Sequence, residues 1–401
     1  MHPATTARAQ MLRGEWVDQA ERSIDQHRKS NLEVIVLDRQ DRAVANARVR
    51  ITQTRHAFEL GLTVPAQGDP PASARQQPLY RCFNALALDQ VTRWVSPNRH
   101  WPKPARDHID RWAQAFDPIQ MSFGTVIASD PAVNFDGLAK LETAVVAELL
   151  RQRVDAALEL DPRIGRYDLY RDTTGPADLR EEIGFGLIHR LFDQAHAIDH
   201  DAGRSIRLVN GLDTLSSRQI VQRARSYQLR LVPLSGITIE QHFTGQVLAP
   251  ALSRTLRDRV GALPVPVTLA DLEVGGDSQV AAAINLETVL RLLFAQPNIE
   301  AVYLAGLTET QTLESHAALI NEDGSLTASG QLIDDLFGKH WWSEVEGETD
   351  GRGNLQTRVF KGWYEIEAVL PDGTVLRSRA YVDVAEGEKH TVVLQQTTID
   401  G

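Results

Sequence analysis

Between Leu79 and Phe337 short apolar runs alternate with amphipathic stretches, about eight times in succession. No other feature of the sequence restricts the fold as strongly. The runs are FNALALD (83–89), IQMSFGTVIA (119–128), YDLYRD (167–172), IRLVNG (206–211), GITIEQHF (236–243), VPVTLADLEV (265–274) and AVYLAGL (301–307), preceded by HAFELGLTV (56–64). Helical stretches such as 137–160, 183–198, 216–227, 250–263 and 279–294 lie between them. Strand–helix alternation of this kind builds a parallel sheet, and about eight units close it into a (β/α)8 barrel.

The two ends of the chain read differently. Residues 1–31 form a polar helix with Trp16, Ala20 and Ile24 on one face. LEVIVLD (32–38) and ARVRIT (47–52) flank a polar turn, the pattern of a β-hairpin. The segment 358–395 alternates apolar and polar residues around the turn sequences PDG and AEGE. It holds too few strands to bury a sandwich core alone, so the 32–55 hairpin is expected to join it. The expected organisation is an N-terminal helix (1–31), the hairpin (32–55), a barrel (56–340) and a small all-β, sandwich-like module completed by 341–401.

Composition narrows the function classes. The chain has 401 residues, 53 acidic and 42 basic, for a net charge of −11. That balance argues against nucleic-acid and anionic-membrane partners, which are met by clustered Lys and Arg. Cys82 is the only cysteine, which excludes an intrachain disulfide and a Cys-rich zinc module. No cofactor or metal is implied. Met1 to Asn31 has no apolar core of signal-peptide length and no run is long enough to span a bilayer, so a cytoplasmic location is expected.

In a (β/α)8 barrel the functional side chains sit at the C-terminal ends of the strands. Those ends carry Asp89, Gln90, Arg93 and Trp94; Arg171 and Asp172; Asn210; Glu240 and His242; and Asp271 and Glu273. Carboxylates on separated strands can face one another across the barrel mouth. Glycoside hydrolysis needs that arrangement, with a protonated acid for the leaving oxygen and an ionised group on the opposite face of the sugar.

RHAFELG, FNALALDQVTRW, VPVTLADLEV and FKGWYEIEAV, taken in order, resemble the family-10 glycoside hydrolases, in particular xylanases that carry a small β-module beside the barrel. The resemblance runs from about Leu32 to Leu394, and its strength lies in order and spacing, since no motif is intact. It implies a (β/α)8 fold and a β-linked, xylan-type oligosaccharide ligand. The family's W-D-x-x-N-E strand reads YDLYRD here, which puts Asp172 at the acid/base and Arg171 at the Asn. Its T-E-x-D strand end reads ADLE, which puts Asp271 at the nucleophile and Glu273 at the following Asp. His242 stands where a His bridges the two carboxylates, with Glu240 and Gln241 before it. Asp89, Gln90, Arg93 and Trp94 replace E-N-x-x-K-W, and Asn210 with Gly211 replaces an N-E pair. Gly124 and Ala305 replace a sugar-binding His and an aromatic wall.

Both catalytic positions thus hold an acid one carbon shorter than the family's. Two such changes widen a retaining pair to roughly 7–8 Å, the separation of an inverting enzyme. The expectation is inversion, with Asp172 as acid and Asp271 as base. Plainer readings stand beside it. A strand-end Asp often caps the next helix. Arg171 could pair with Asp172 or Asp271 and hold both ionised, favouring binding over acid catalysis. Glu240, His242, Asp271 and Glu273 could cradle a divalent cation, but their spacing is not diagnostic. Three functions follow: a divergent glycosidase, a degenerate barrel that binds a carbohydrate or partner without turnover, and a barrel turned to acid/base chemistry on a non-sugar ligand.

Overall fold

Eight parallel strands close on themselves in sequence order in a computed structural model that describes residues 14–70, 78–89, 103–130, 134, 138–173, 184–212 and 216–396. The chain divides into two units, one spanning Glu59–Leu332 and the other Val17–Phe58 with Ile333–Gly401. The barrel strands are β3 (Glu59–Thr63), β4 (Ala85–Ala87), β5 (Gln120–Ala128), β6 (Ile164–Asp172), β7 (Gly203–Val209), β8 (Gly236–Phe243), β9 (Val267–Val274) and β10 (Ile299–Leu304). Pairing of β10 with β3 completes the ring. Helices such as Thr143–Leu158, Phe185–Ile198, Ser216–Leu229 and Gln279–Phe294 lie between successive strands.

Small residues let the barrel close at its narrow point. Ala85, Ala87, Ala301 and Tyr303 form a buried cluster there. A Cβ added at Gly61 would stand 2.1 Å from the Tyr303 ring, so only glycine admits that ring. Near the N-terminal ends of the strands Arg166 pairs with Glu59 at 2.8 Å, and the Tyr303 hydroxyl donates to the same carboxylate at 3.0 Å. On the helix Lys103–Phe116, Trp112 is buried and stacks on Phe116 with ring centroids 5.5 Å apart, a core role.

The second unit is a sandwich of two sheets. Its strands are β1 (Lys29–Leu37), β2 (Arg48–His56), β11 (Glu344–Glu348), β12 (Asn354–Phe360), β13 (Gly362–Val369), β14 (Val375–Val382) and β15 (Lys389–Gln395). One sheet has the order β12-β1-β15 and the other β11-β2-β13-β14, so segments from both chain ends share each sheet. The hairpin expected over 32–55 is confined to its turn, where Leu37 bridges Ala43 and the Val44 N–H donates to the Val36 carbonyl at 3.0 Å. β1 pairs with β12 and β15, while β2 pairs with β11 and β13, in opposite sheets. Leu32, Val34 and Val36 of β1 meet Val49 and Ile51 of β2 across the core, a facing arrangement that pairing within one sheet would forbid. The N-terminal helix runs Glu15–Arg28 and buries Ala20 and Ile24.

Candidate functional site

Arg207 organises the C-terminal end of the barrel. Its side chain is buried on β7, yet it reaches Asp89 beyond β4 at 2.6 Å, Asp168 on β6 at 3.6 Å, Glu240 on β8 at 2.9 Å and Asp271 on β9 at 3.9 Å. A side chain that meets all these strands can do so only through the lumen. Arg171 adds a second guanidinium, bonding both Glu240 oxygens from Nε at 2.9 Å and Nη2 at 2.8 Å. Two cations therefore sit among four acids, with Glu240 shared between them.

Burial and charge set the protonation of this group. Burial pushes Glu240 up, but Arg207 and Arg171 outweigh it and hold the carboxyl at about 2. Asp168 is carried the other way. Burial lifts it to about 6, against the opposing pull of Arg207, and the Thr238 hydroxyl donates to it at 2.5 Å. Burial also raises Asp89, again against Arg207. Room for Asp89 is made by Gly124, where a Cβ would stand 1.8 Å from its Oδ1.

At the mouth, Arg171, His242 and Asp271 are each about one-fifth to one-quarter exposed, at 22%, 21% and 24%. His242 Nε2 lies 3.7 Å from Asp271 Oδ2 and has no hydrogen-bond partner among the described residues. The neighbouring Asp271 carboxylate raises the imidazole above its usual value, against burial, with help from Glu273 and Glu240. A bulge aims Asp271. Glu240 pairs with Ala270 and His242 with Glu273, so β9 carries one more residue than β8 over that interval. Asp271 takes a left-handed φ of 51° within it.

A second bulge overturns the role read for Asp172. Asp168 pairs with Ser205 but Tyr170 pairs with Ile206, so β6 has an extra residue at Leu169. Side chains alternate along a strand, and one inserted residue reverses the faces that follow. Arg171 consequently enters the lumen beside Asp168, and Asp172 turns outward to the helix Ser216–Leu229. There Arg223 pairs with it and the Tyr227 hydroxyl donates to it at 3.3 Å. The Asp172 side chain has no exposed surface, so a ligand at the mouth does not touch it. The expected Asp172–Asp271 pair is not assembled.

Glu273 is also committed elsewhere. It is buried and accepts the backbone N–H groups of Leu313 at 2.7 Å and Glu314 at 2.8 Å, fastening the loop after β10. Asn210 is exposed just past β7, and its backbone N–H donates to the Glu240 carbonyl at 2.8 Å. Gln90, Arg93 and Trp94 lie outside the described residues. Glu240, His242 and Asp271 offer ligand atoms within 4.8 Å of one another. Both Glu240 oxygens already face guanidiniums, which makes the group a poor cation cage.

Comparison with known proteins bears on the architecture. The barrel aligns with crystal structures of xylanase 10B from Thermotoga petrophila in complex with xylobiose (TM-score 0.59, 14% identity, 71% of this chain and 95% of that one). It aligns equally with an intracellular xylanase from Thermoanaerobacterium saccharolyticum (TM-score 0.58, 16% identity, 69% and 95%). The barrel has the family-10 xylanase fold. In sequence the chain is 21% identical over 365 residues to the anti-sigma-I factor RsgI6 of Acetivibrio thermocellus, covering 89% of this chain and 47% of that protein. It is 23% identical over 342 residues to endo-1,4-beta-xylanase 2 of Arabidopsis thaliana, covering 82% and 31%. The chain thus spans half or less of the length of these curated relatives. No protein-family model matches it. Among the described residues no helix is long and apolar enough to cross a membrane.

Arg207 and Asp168 were not singled out from the sequence. The available signal was an arginine inside the apolar run IRLV, with no acid in its own strand to neutralise it. In a closed barrel such a residue needs partners from facing strands.

Proposed function

We propose that this barrel binds a β-linked oligosaccharide at its strand ends without hydrolysing it. One observation carries the reading: neither Asp172, the residue expected as the acid, nor Glu240, which shares Arg207 with Asp271, is available as a proton donor at the mouth. Glu240 is held ionised at about 2 by its two arginines, and Asp172 is sealed behind Arg223. Glycosidic cleavage needs a protonated acid on the leaving oxygen, and an acid with so low a pKa is a hydrogen-bond acceptor at neutral pH. Arg171, His242 and Asp271 present donors and an acceptor at the mouth, suited to sugar hydroxyls. The xylanase fold supports the choice of ligand class.

Calorimetry with xylohexaose, paired with reducing-end assays over days, tests the reading. Binding weakened by Asp271→Ala, with no products from the wild type, is the expected result. Steady product formation sinks it.

One contact favours hydrolysis as the second reading. His242, raised by Asp271, is a cation over a wider pH range than a free imidazole and can serve as a proton donor. Turnover of that kind is present below the raised pKa and falls as pH rises through it. It disappears in His242→Gln, and proton NMR of the first-formed anomer reports its stereochemistry.

A further inference from the structure

The outer face of the sheet β11-β2-β13-β14 has an organisation that sheet stability alone does not require. At one end Trp363 and Tyr381 are direct cross-strand neighbours, with ring centroids 5.1 Å apart and planes tilted by 46°. They are 45% and 42% exposed. Two rows follow along the strands. One reads Glu346, Arg50, Glu367, Arg377 across the four strands, and the other Glu344, Thr52, Glu365, Arg379. Two depressions of about 530 and 720 Å3 adjoin at Arg50 and Glu367, one over β11, β2 and β13 and the other over β2, β13 and β14.

We propose that this face is a second, independent glycan-docking surface, which takes a neutral β-linked polysaccharide chain. Its chemistry selects the occupant. An exposed aromatic pair offers apolar faces to the C–H face of a pyranose ring, with little entropy lost on binding because both side chains are stiff. The charged rows nearly cancel, with three arginines and four glutamates, so the face attracts neither the phosphates of nucleic acid nor an anionic membrane. Guanidinium and carboxylate groups that are already paired, as Arg377–Glu367 at 2.8 Å and Arg379–Glu365 at 2.7 Å are, can hydrogen-bond sugar hydroxyls at their outer edges without being desolvated as bare charges. Adjoining depressions that together reach across the four strands fit an extended chain better than a single small molecule. The surface belongs to the sandwich unit and owes nothing to the barrel residues, so it stands or falls separately from the function proposed for the barrel.

Affinity electrophoresis of the full chain through gels containing β-1,4-xylan or mixed-linkage β-glucan tests it. The wild type is expected to be retarded. Trp363→Ala should weaken binding about tenfold, Tyr381→Ala less, and Trp363→Tyr should restore most of the loss. Trp363→Ala should lower the retardation as much in an Asp271→Ala background as in the wild type, which separates this surface from the barrel mouth. All the changes on this face are at exposed positions, and matching thermal midpoints show that the variants are folded. The proposal is overturned if Trp363→Ala is retarded as strongly as wild type, or if the wild type runs freely through both gels. Self-association abolished by Trp363→Ala, without retardation, would likewise overturn it by assigning the face to a second copy of the chain.

Discussion

The barrel mouth and the outer face of the sandwich are built from the same pairs, arginine against glutamate or aspartate, and they use them in opposite ways. At the mouth Arg207 is 3% exposed and serves several acids at once. On the sandwich Arg377 is 77% exposed and pairs with a single acid among the described residues, Glu367. Water screens the second pair and contributes nothing to the first. The lesson is that burial, rather than the count of ion pairs, decides where charge controls stability and protonation.

Arg207→Met should break the comparison most severely. Methionine fills a similar volume but leaves Asp89 without the cation it contacts and Glu240 with Arg171 alone of its two arginines. Removing one partner of a buried ionic group costs about 3–5 kcal/mol, a large part of the total stability of a domain. Urea unfolding should show that loss, or an insoluble protein. A loss below about 1 kcal/mol would mean that the acids are solvated after all.

Glu240→Gln should cost somewhat less. A carboxyl held at about 2 instead of its ordinary 4.5 corresponds to about 3 kcal/mol at neutral pH. Because this pKa is depressed, the stabilisation is present above about 4.5 and is lost as pH falls towards 2. Asp168 has the opposite sign. Its carboxyl is raised to about 6, so the folded state gains as pH falls from 6 towards 3.8 and the acid becomes neutral. Together the two groups give a contribution that peaks between pH 4 and 5. Chemical denaturation across pH should show this peak in the wild type, a missing acid-side loss in Glu240→Gln, and a missing rise from neutral pH in Asp168→Asn.

Gly124→Ala comes next. The added Cβ would stand 1.8 Å from Asp89 Oδ1 and 2.5 Å from its Cα, so backbone as well as side chain must shift. Overpacking of this kind costs about 1–3 kcal/mol. It also pushes Asp89 off Arg207, so its effect and that of Asp89→Asn should be less than additive in a double-mutant cycle.

These residues mark how far the sequence could be read. The barrel was legible because its signal is local: GITIEQHF (236–243) is β8 to the residue, and strand order follows chain order. The sandwich was legible as strands but not as pairs. β1 and β2 are adjacent in sequence and alternate correctly, yet their partners lie some 300 residues away, and nothing local specifies that choice. At Asp172 the reading and the structure part over a single inserted residue. Counting by twos from Asp168 puts Asp172 inside the barrel, but the extra residue at Leu169 puts Arg171 there. A bulge of one residue is invisible to periodicity and decides which side chain a ligand meets. The likeness of YDLYRD to the family's W-D-x-x-N-E therefore points to a strand on which Arg171, and not Asp172, faces the lumen.

The smallest effect is the one that fixes the scale for the others. Arg377→Ala on the sandwich removes a pair whose members are 77% and 39% exposed, and its cost should stay within about 0.5 kcal/mol. A double-mutant cycle over Arg377 and Glu367 should give a coupling below about 1 kcal/mol that fades in molar salt, where the screening length is about 3 Å. The same cycle over Arg207 and Glu240 should give a coupling several times larger and largely indifferent to salt, because counter-ions do not enter the lumen. If the two couplings are equal, or respond equally to salt, then water reaches Arg207. Glu240 would in that case not be fixed as a permanent anion, and the argument that it cannot donate a proton beside Asp271 would lose its footing.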